Sequence, residues 1–150
     1  MKKIALFGFA CLSCLLLAGC GSEKVLTCSM TQEQSGLNME QIVDITFSDD
    51  KVTNVKMTVD SDATDDTIKD NWDTFASMLD QQFPDSDKEG IKVTKENNKD
   101  KHNYKIVIDV DVTKANDDDL AEYSLSGLAD AEGTYDSVKE QAEKSGFTCK

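Results

Sequence analysis

Apolar residues along this chain follow two kinds of spacing, and the points where one gives way to the other mark out the elements. Leu26, Cys28 and Met30 alternate with polar residues and predict a first short strand. Met39, Val43, Ile45 and Phe47 share one side of a second strand. Ser48-Asp49-Asp50-Lys51 reads as a turn, and Val55, Met57 and Val59 resume the period of two, as in an antiparallel hairpin. From Thr64 the period changes, with Ile68, Trp72, Phe75, Ala76, Leu79 and Phe83 lining one helical face. Asp65 and Asp66 fall in its first turn, where carboxylates meet the positive end of the helix dipole. Phe83-Pro84 ends it, because the residue before a proline is pushed out of the helical region.

Past Asp85-Ser86-Asp87, Ile91 and Val93 suggest a fourth strand. Tyr104, Ile106, Ile108, Val110 and Val112 define a fifth, whose opposite face carries Lys105, Val107, Asp109 and Asp111. One side is buried and the other wet, which is the habit of an antiparallel sheet covered by helices on one side. Two more helices are predicted, one from about Asp117 to Leu125 and one from Thr134 to Ser145, the latter closed by Gly146, a favoured residue just past a helix end. Phe147-Thr148-Cys149 then returns to the sheet. The expected fold class is α+β, in the order β-β-β-α-β-β-α-α-β, an antiparallel β-sheet of about five to six strands with two to three helices packed on one face.

The amino terminus follows neither period. Met1-Lys2-Lys3 is positively charged, and Ile4 to Leu17 is an uncharged run shorter than the roughly 20 residues a spanning helix needs, so it reads as an export signal. Leu17-Ala18-Gly19-Cys20 resembles the bacterial lipobox, in which the Cys thiol takes a diacylglyceryl group before cleavage ahead of it. The expected organisation is a signal peptide over 1–19, lipidated Cys20 with a short tether over 20–24, and one α+β domain over 25–150. Two acyl chains anchor stably where one binds marginally, so the expected location is the extracytoplasmic face of the cell membrane. A tether from Gly21 to Lys24 reaches at most about 14 Å, which keeps a partner close to the membrane.

Losing Lys2 and Lys3 takes the 16 basic residues to 14 against 29 acids, a net charge of −15, and the chain has no Arg. So acidic a body is repelled by phosphate, which argues against a nucleic-acid partner and leaves the membrane contact to the lipid. Cys11 and Cys14 leave with the signal and Cys20 is consumed by lipid. Cys28 and Cys149 remain, and in an exported domain they read as a disulfide joining its two ends. A zinc site on this pair would lack ligands, since His102 is the sole histidine.

Catalytic chemistry is sparse. His102 lies in Asn98-Lys99-Asp100-Lys101-His102-Asn103, a polar turn where a solvated histidine is ordinary, and paired carboxylates mean little among 29 acids. The weak metal candidates are Asp85, Asp87, Glu89 and Glu96, whose spacing echoes the calcium-loop pattern. Glu89 replaces the usual Asp or Asn, however, and the residues after Lys92 read as strand instead of an exiting helix. Asp60-Ser61-Asp62 and Asp117-Asp118-Asp119 read as helix-entry charge. Trp72, Phe75 and Phe83 read as core. Tyr123 and Tyr135 fall on the later helices, and any binding surface is expected between those helices and the wet face bearing Lys105, Asp109 and Asp111.

The lipobox, the early Thr27-Cys28-Ser29, the strand hairpins and the closing Gly146-Phe147-Thr148-Cys149-Lys150 together resemble the YehR-like family of small bacterial lipoproteins. The resemblance covers the whole mature chain. It implies an α+β fold with no established activity and supplies no catalytic residue to carry over. The expectation is a noncatalytic binding or interaction module of the cell envelope that needs no cofactor and has an unidentified protein or small-molecule partner. A calcium- or cation-binding envelope protein is the alternative, and an envelope enzyme stands behind both.

Overall fold

A computed structural model describes residues 23–122 and 133–150. Its elements are β1 (Lys24–Gln34), β2 (Leu37–Ser48), β3 (Lys51–Ala63), α1 (Asp66–Asp70), α2 (Trp72–Gln82), β4 (Ile91–Asn98), β5 (Asn103–Asp111), α3 (Asp117–Glu122), α4 (Tyr135–Lys144) and β6 (Thr148–Cys149). The six strands form one antiparallel sheet in the order β4-β5-β3-β2-β1-β6, and the fold is α+β. The expected signal over 1–19, Cys20, Gly21 and Ser22 lie outside the described residues, as do Tyr123 and Leu125 at the close of the helix expected from about Asp117.

The single helix expected between Thr64 and Phe83 is two helices, broken at Asn71. The Asn71 N–H donates three residues back to Ile68 O at 3.2 Å, while its Nδ2 donates to Thr67 O at 2.8 Å. Those bonds tighten and finish α1. Thr74 N and Phe75 N then start afresh on Asn71 O. An Asn side chain that competes for backbone partners is what the apolar spacing could not register.

β1 runs eleven residues, well past the short strand expected, because the β1–β2 turn is Ser35-Gly36. Both turn residues have positive φ (51° and 82°), as do Asp49 and Asp50 of the β2–β3 turn (51° and 60°). Two-residue turns of this hand match the twist of the strands they join. At Gly36 there is also no room for a side chain, since an added Cβ would lie 2.3 Å from Asp65 Cβ. The approach is close because Gly36 O accepts from both Thr64 N and Asp65 N, at 2.8 and 3.1 Å. Gly36→Ala therefore combines a left-handed backbone cost of about 1–2 kcal/mol with a clash. It is expected to lower denaturant stability by more than about 2 kcal/mol, against about 1 kcal/mol for Asp65→Ala, which removes only the α1 cap accepting from Thr67 N. Equal midpoints for Gly36→Ala and the parent would remove the steric argument.

The core is two packed clusters. In one, the alternate residues Tyr104, Ile106, Ile108 and Val110 of β5 meet Trp72 and Ala76 of α2, Leu120 of α3, Ala63 and Ile91, with Phe75, Leu79 and Phe83 packed against them. The aromatic stripe of the helix is thus core, as its spacing implied. In the other, Leu26, Cys28, Ile45, Phe47 and Val55 meet Tyr135, Val138 and Ala142 of α4 and Phe147. A bulge keeps this second cluster aligned: Thr46 pairs with Asn54 but Phe47 with Val52, so the extra residue Thr53 is absorbed where the hairpin begins.

α4 falls within a residue of its expected bounds. Thr134 Oγ1 caps it by accepting from Ser137 N at 3.4 Å, and Gly146 ends it at φ 94°. Gly146 N donates to Glu143 O and Phe147 N to Ala142 O, both at 3.1 Å, the paired bonds that let a helix stop and the chain reverse. Phe147 is carried into the second cluster, and Thr148 and Cys149 pair with Ser29 and Cys28. Thr27 and Lys150 exchange both backbone hydrogen bonds, at 3.4 and 2.9 Å, so Cys28 and Cys149 occupy the adjoining non-hydrogen-bonded pair, where facing side chains come closest. Their Cα atoms are 4.0 Å apart and their sulfurs 2.03 Å, at disulfide distance across 121 residues of sequence.

Candidate functional site

Strand direction sorts the connections between the two ends of the sheet. The β1–β2 turn, the β3–α1 connection and the β4–β5 turn share one end, stitched together by Ala63 N donating to His102 O at 2.9 Å and Thr64 N donating to Gly36 O. The β4–β5 turn is Lys99 to His102, between the opposed pair Asn98 and Asn103. His102 N donates to Lys99 O at 3.3 Å, Lys101 N to Asn98 Oδ1 at 3.2 Å, and His102 takes φ 49°.

Trp72, the first residue of α2, is buried beneath this turn, its ring 5.4 Å from that of Phe75. A buried indole N–H needs an acceptor, and Trp72 Nε1 donates to Asn97 Oδ1 at 3.0 Å. The His102 ring stands edge-on to it at 5.8 Å. Over these rings lies a depression of about 280 Å³ walled by Lys69, Asp70, Asn71, Asp73 and Lys99. A second of about 470 Å³ is lined by Glu96, Asn97, Asn98, Asp100 and Asn103. Lys99 Nζ is 2.7 Å from Asp73 in an exposed pair, the kind worth at most about 1 kcal/mol, so a ligand can displace it at little cost. The rim offers ammonium and carboxamide donors beside carboxylate acceptors, a set suited to hydrogen-bonding a polar ligand. Sequence reading named His102 but missed Asn97, whose signal was only its position opposite Tyr104 on the buried side of the hairpin.

The calcium-loop candidates are not brought together. Asp85 pairs with Lys95 Nζ at 2.9 Å, Ser86 Oγ accepts from Lys88 N at 3.2 Å, and Gly90 at φ 79° leads straight into β4. Successive side chains of β4 point to opposite faces, so Glu96, opposite Lys105, points to the other face from Lys95, which meets Asp85, where an exiting helix would have curled Glu96 back toward the loop. Among the described residues no group of three or more His, Cys, Asp or Glu is placed to hold a metal ion. Lys95 instead bridges Asp85 and Asp80, and the buried Tyr104 hydroxyl donates to Asp80, tying α2 to β4 and β5. Asp85, opposed by burial, holds the Lys95 ammonium above its usual pKa range, while burial and then Asp80 push the Tyr104 hydroxyl well up. Phenolate chemistry at Tyr104 is disfavoured accordingly.

Asp60 and Asp62 correct another expectation, for they belong to β3 and not to a helix entry. Both accept from Asn103 Nδ2, at 2.5 and 2.9 Å, because the hairpin places Asn103 opposite Asp62. Before α3 it is Asn116 that caps, its Oδ1 accepting from Asp119 N at 2.9 Å. Lys105 stands opposite Asp60, and Asp109 stands opposite Lys56 and Lys92 while accepting from Asn54 at 2.8 Å. Asp111 ends β5, where Lys114 at 2.7 Å and then Thr113 hold its carboxyl below the usual range. Tyr135 stacks at a tilt on Phe47, 5.5 Å away, as part of the second cluster.

No family model matches this chain, and no curated protein matches it. Its fold is similar to that of a protein from Streptococcus pneumoniae TIGR4 determined by NMR, with a TM-score of 0.61 and 13% identity over 100% of this chain and 98% of that one. At that identity the likeness speaks for the fold alone.

Proposed function

We propose that the protein is an extracytoplasmic lipoprotein, cleaved ahead of Cys20 and held to the membrane by diacylglycerol on that residue, whose domain is a noncatalytic binding module resembling the YehR-like lipoproteins. The observation that carries this reading is the lipobox Leu17-Ala18-Gly19-Cys20 standing only four residues before β1 begins at Lys24. Two further points support it. Cys28 and Cys149, at disulfide distance, suit an oxidising compartment. The rim around Trp72 and His102 offers hydrogen-bonding groups with no nucleophile and base paired for catalysis among its described residues.

The helices on this reading all cover one side of the sheet. The buried residues of both clusters fall at matching cross-strand positions, such as Leu26, Ile45, Val55 and Val110, which lie opposite one another in sequence across four strands. Among the described residues the other side is left bare. Across it run a row of alternating charge, Asp44, Lys56, Asp109 and Lys92, and a row of mostly acids, Glu40, Asp60, Lys105 and Glu96. Opposite charges facing across strands stabilise such a sheet face by about 0.2–1 kcal/mol a pair.

Expression in a bacterium fed labelled palmitate tests the proposal. The parent is expected to take up label and to partition with membranes, whereas Cys20→Ala takes up none. An unlabelled parent whose mass still includes Met1 to Gly19 overturns the reading.

A further inference from the structure

Resting on the lipid anchor proposed above, we infer that the domain stands end-on at the membrane, meeting the lipid with the end that carries Asp49-Asp50 and the Asp111–Lys114 loop and presenting the Trp72–His102 rim outward. The inference comes from strand direction. β1 leaves the tether at Lys24 and runs away from it, and Lys24 is opposite Phe47, beside the β2–β3 turn. β5 ends at Asp111 opposite Asn54 of β3, at this same near end, and β4 begins there with Ile91 opposite Val110. Gln34, Ala63, Asn98 and Asn103 all lie at the far end, with α1, the start of α2 and both depressions described above.

The lengths make this a physical separation. Eleven residues of strand at about 3.3 Å each put the far end roughly 36 Å beyond the start of β1. The tether adds at most about 14 Å. With the near end on the lipid a ligand on the rim is held roughly 36 Å from the headgroups, and at most about 50 Å with the tether fully extended, so the tether confines only the near end. Lying on the bare sheet face is the alternative posture, and charge opposes it. On that face the acids outnumber Lys56, Lys92 and Lys105, so it is repelled by an anionic leaflet, whereas at the near end Asp49, Asp50 and Asp111 are matched by Lys24, Lys51 and Lys114. The partner of the near end is thus the lipid surface, and the partner of the rim is a polar ligand borne beyond it.

The test uses isotope-labelled protein purified from membranes, with its mass measured first, in nanodiscs of phosphatidylcholine and phosphatidylglycerol doped with a gadolinium-chelating lipid. A chain without lipid at that first step fails the lipoprotein reading and takes this inference with it. With lipid present, amide signals of Asp49, Asp50 and Thr113 are expected to lose most of their intensity while those of Asp100, Lys101 and His102 keep theirs. Broadening that is uniform, reversed, or greatest along Thr58 and Val107 in the middle of the bare face overturns the end-on posture and leaves the anchor standing.

Discussion

Reducing the Cys28–Cys149 pair, or replacing both residues by Ala, is expected to lower the free energy of unfolding by about 2–5 kcal/mol. Closing a loop of 121 residues removes a large share of the unfolded chain's freedom, which puts the expectation toward the upper part of that range. The folded side matters as well. β6 contributes two residues and α4 has no fully buried one, so the carboxyl-terminal elements depend on Phe147, on the half-buried face of α4 and on this cross-link. Hydrogen exchange should quicken first in residues 133–150 when the bond is cut, with the β3–β5 pairing still protected. Urea melts of the oxidised and reduced parent, compared with the Cys28→Ala/Cys149→Ala double variant, check this. Coincident oxidised and reduced midpoints would show that the two sulfurs are not joined in solution.

Trp72→Ala is expected to cost about 3–5 kcal/mol, because removing a large ring leaves a cavity in the cluster it shares with Ala63, Ala76, Tyr104 and Leu120. Trp72→Phe should cost much less. It keeps most of the buried apolar area and loses the Nε1 bond to Asn97, worth about 1 kcal/mol, and Asn97 is exposed enough for water to replace that bond. The comparison separates packing from polar anchoring at the place where core and rim meet. Equal losses for Ala and Phe would mean that the hydrogen bond, not the cavity, dominates. Trp72 is the sole tryptophan, so its emission also reports on the rim: ligand binding over the His102 ring should shift it, with the Lys99→Ala variant still folded.

Much of the architecture was legible in the chain. Alternation in Tyr104, Ile106, Ile108 and Val110 and helical spacing from Ile68 to Phe83 are local properties, and burial on one side follows directly from the period of each element. Gly146 could be read as a stop for the same reason, since left-handed backbone needs a residue without a Cβ. Less of the candidate site was legible. Acid spacing over Asp85 to Glu96 imitates a loop that extended backbone cannot form, and the break at Asn71 arises from side-chain bonds that hydrophobic periodicity does not see.

Composition and spacings within single segments were enough to read the acidity of the chain, the pairing of Cys28 with Cys149, and the kind and order of nearly every element, and they are what the proposed export and lipidation at Cys20 rest on. The insertion of β5 beside β3, the register that sets Cys149 against Cys28, and the gathering of Gly36, Trp72, Asn97 and His102 at one end of the sheet arise only in the folded chain. Those placements join segments far apart in the chain. Pairing of that kind depends on which buried surfaces fit one another once the chain has collapsed, and no local period encodes it.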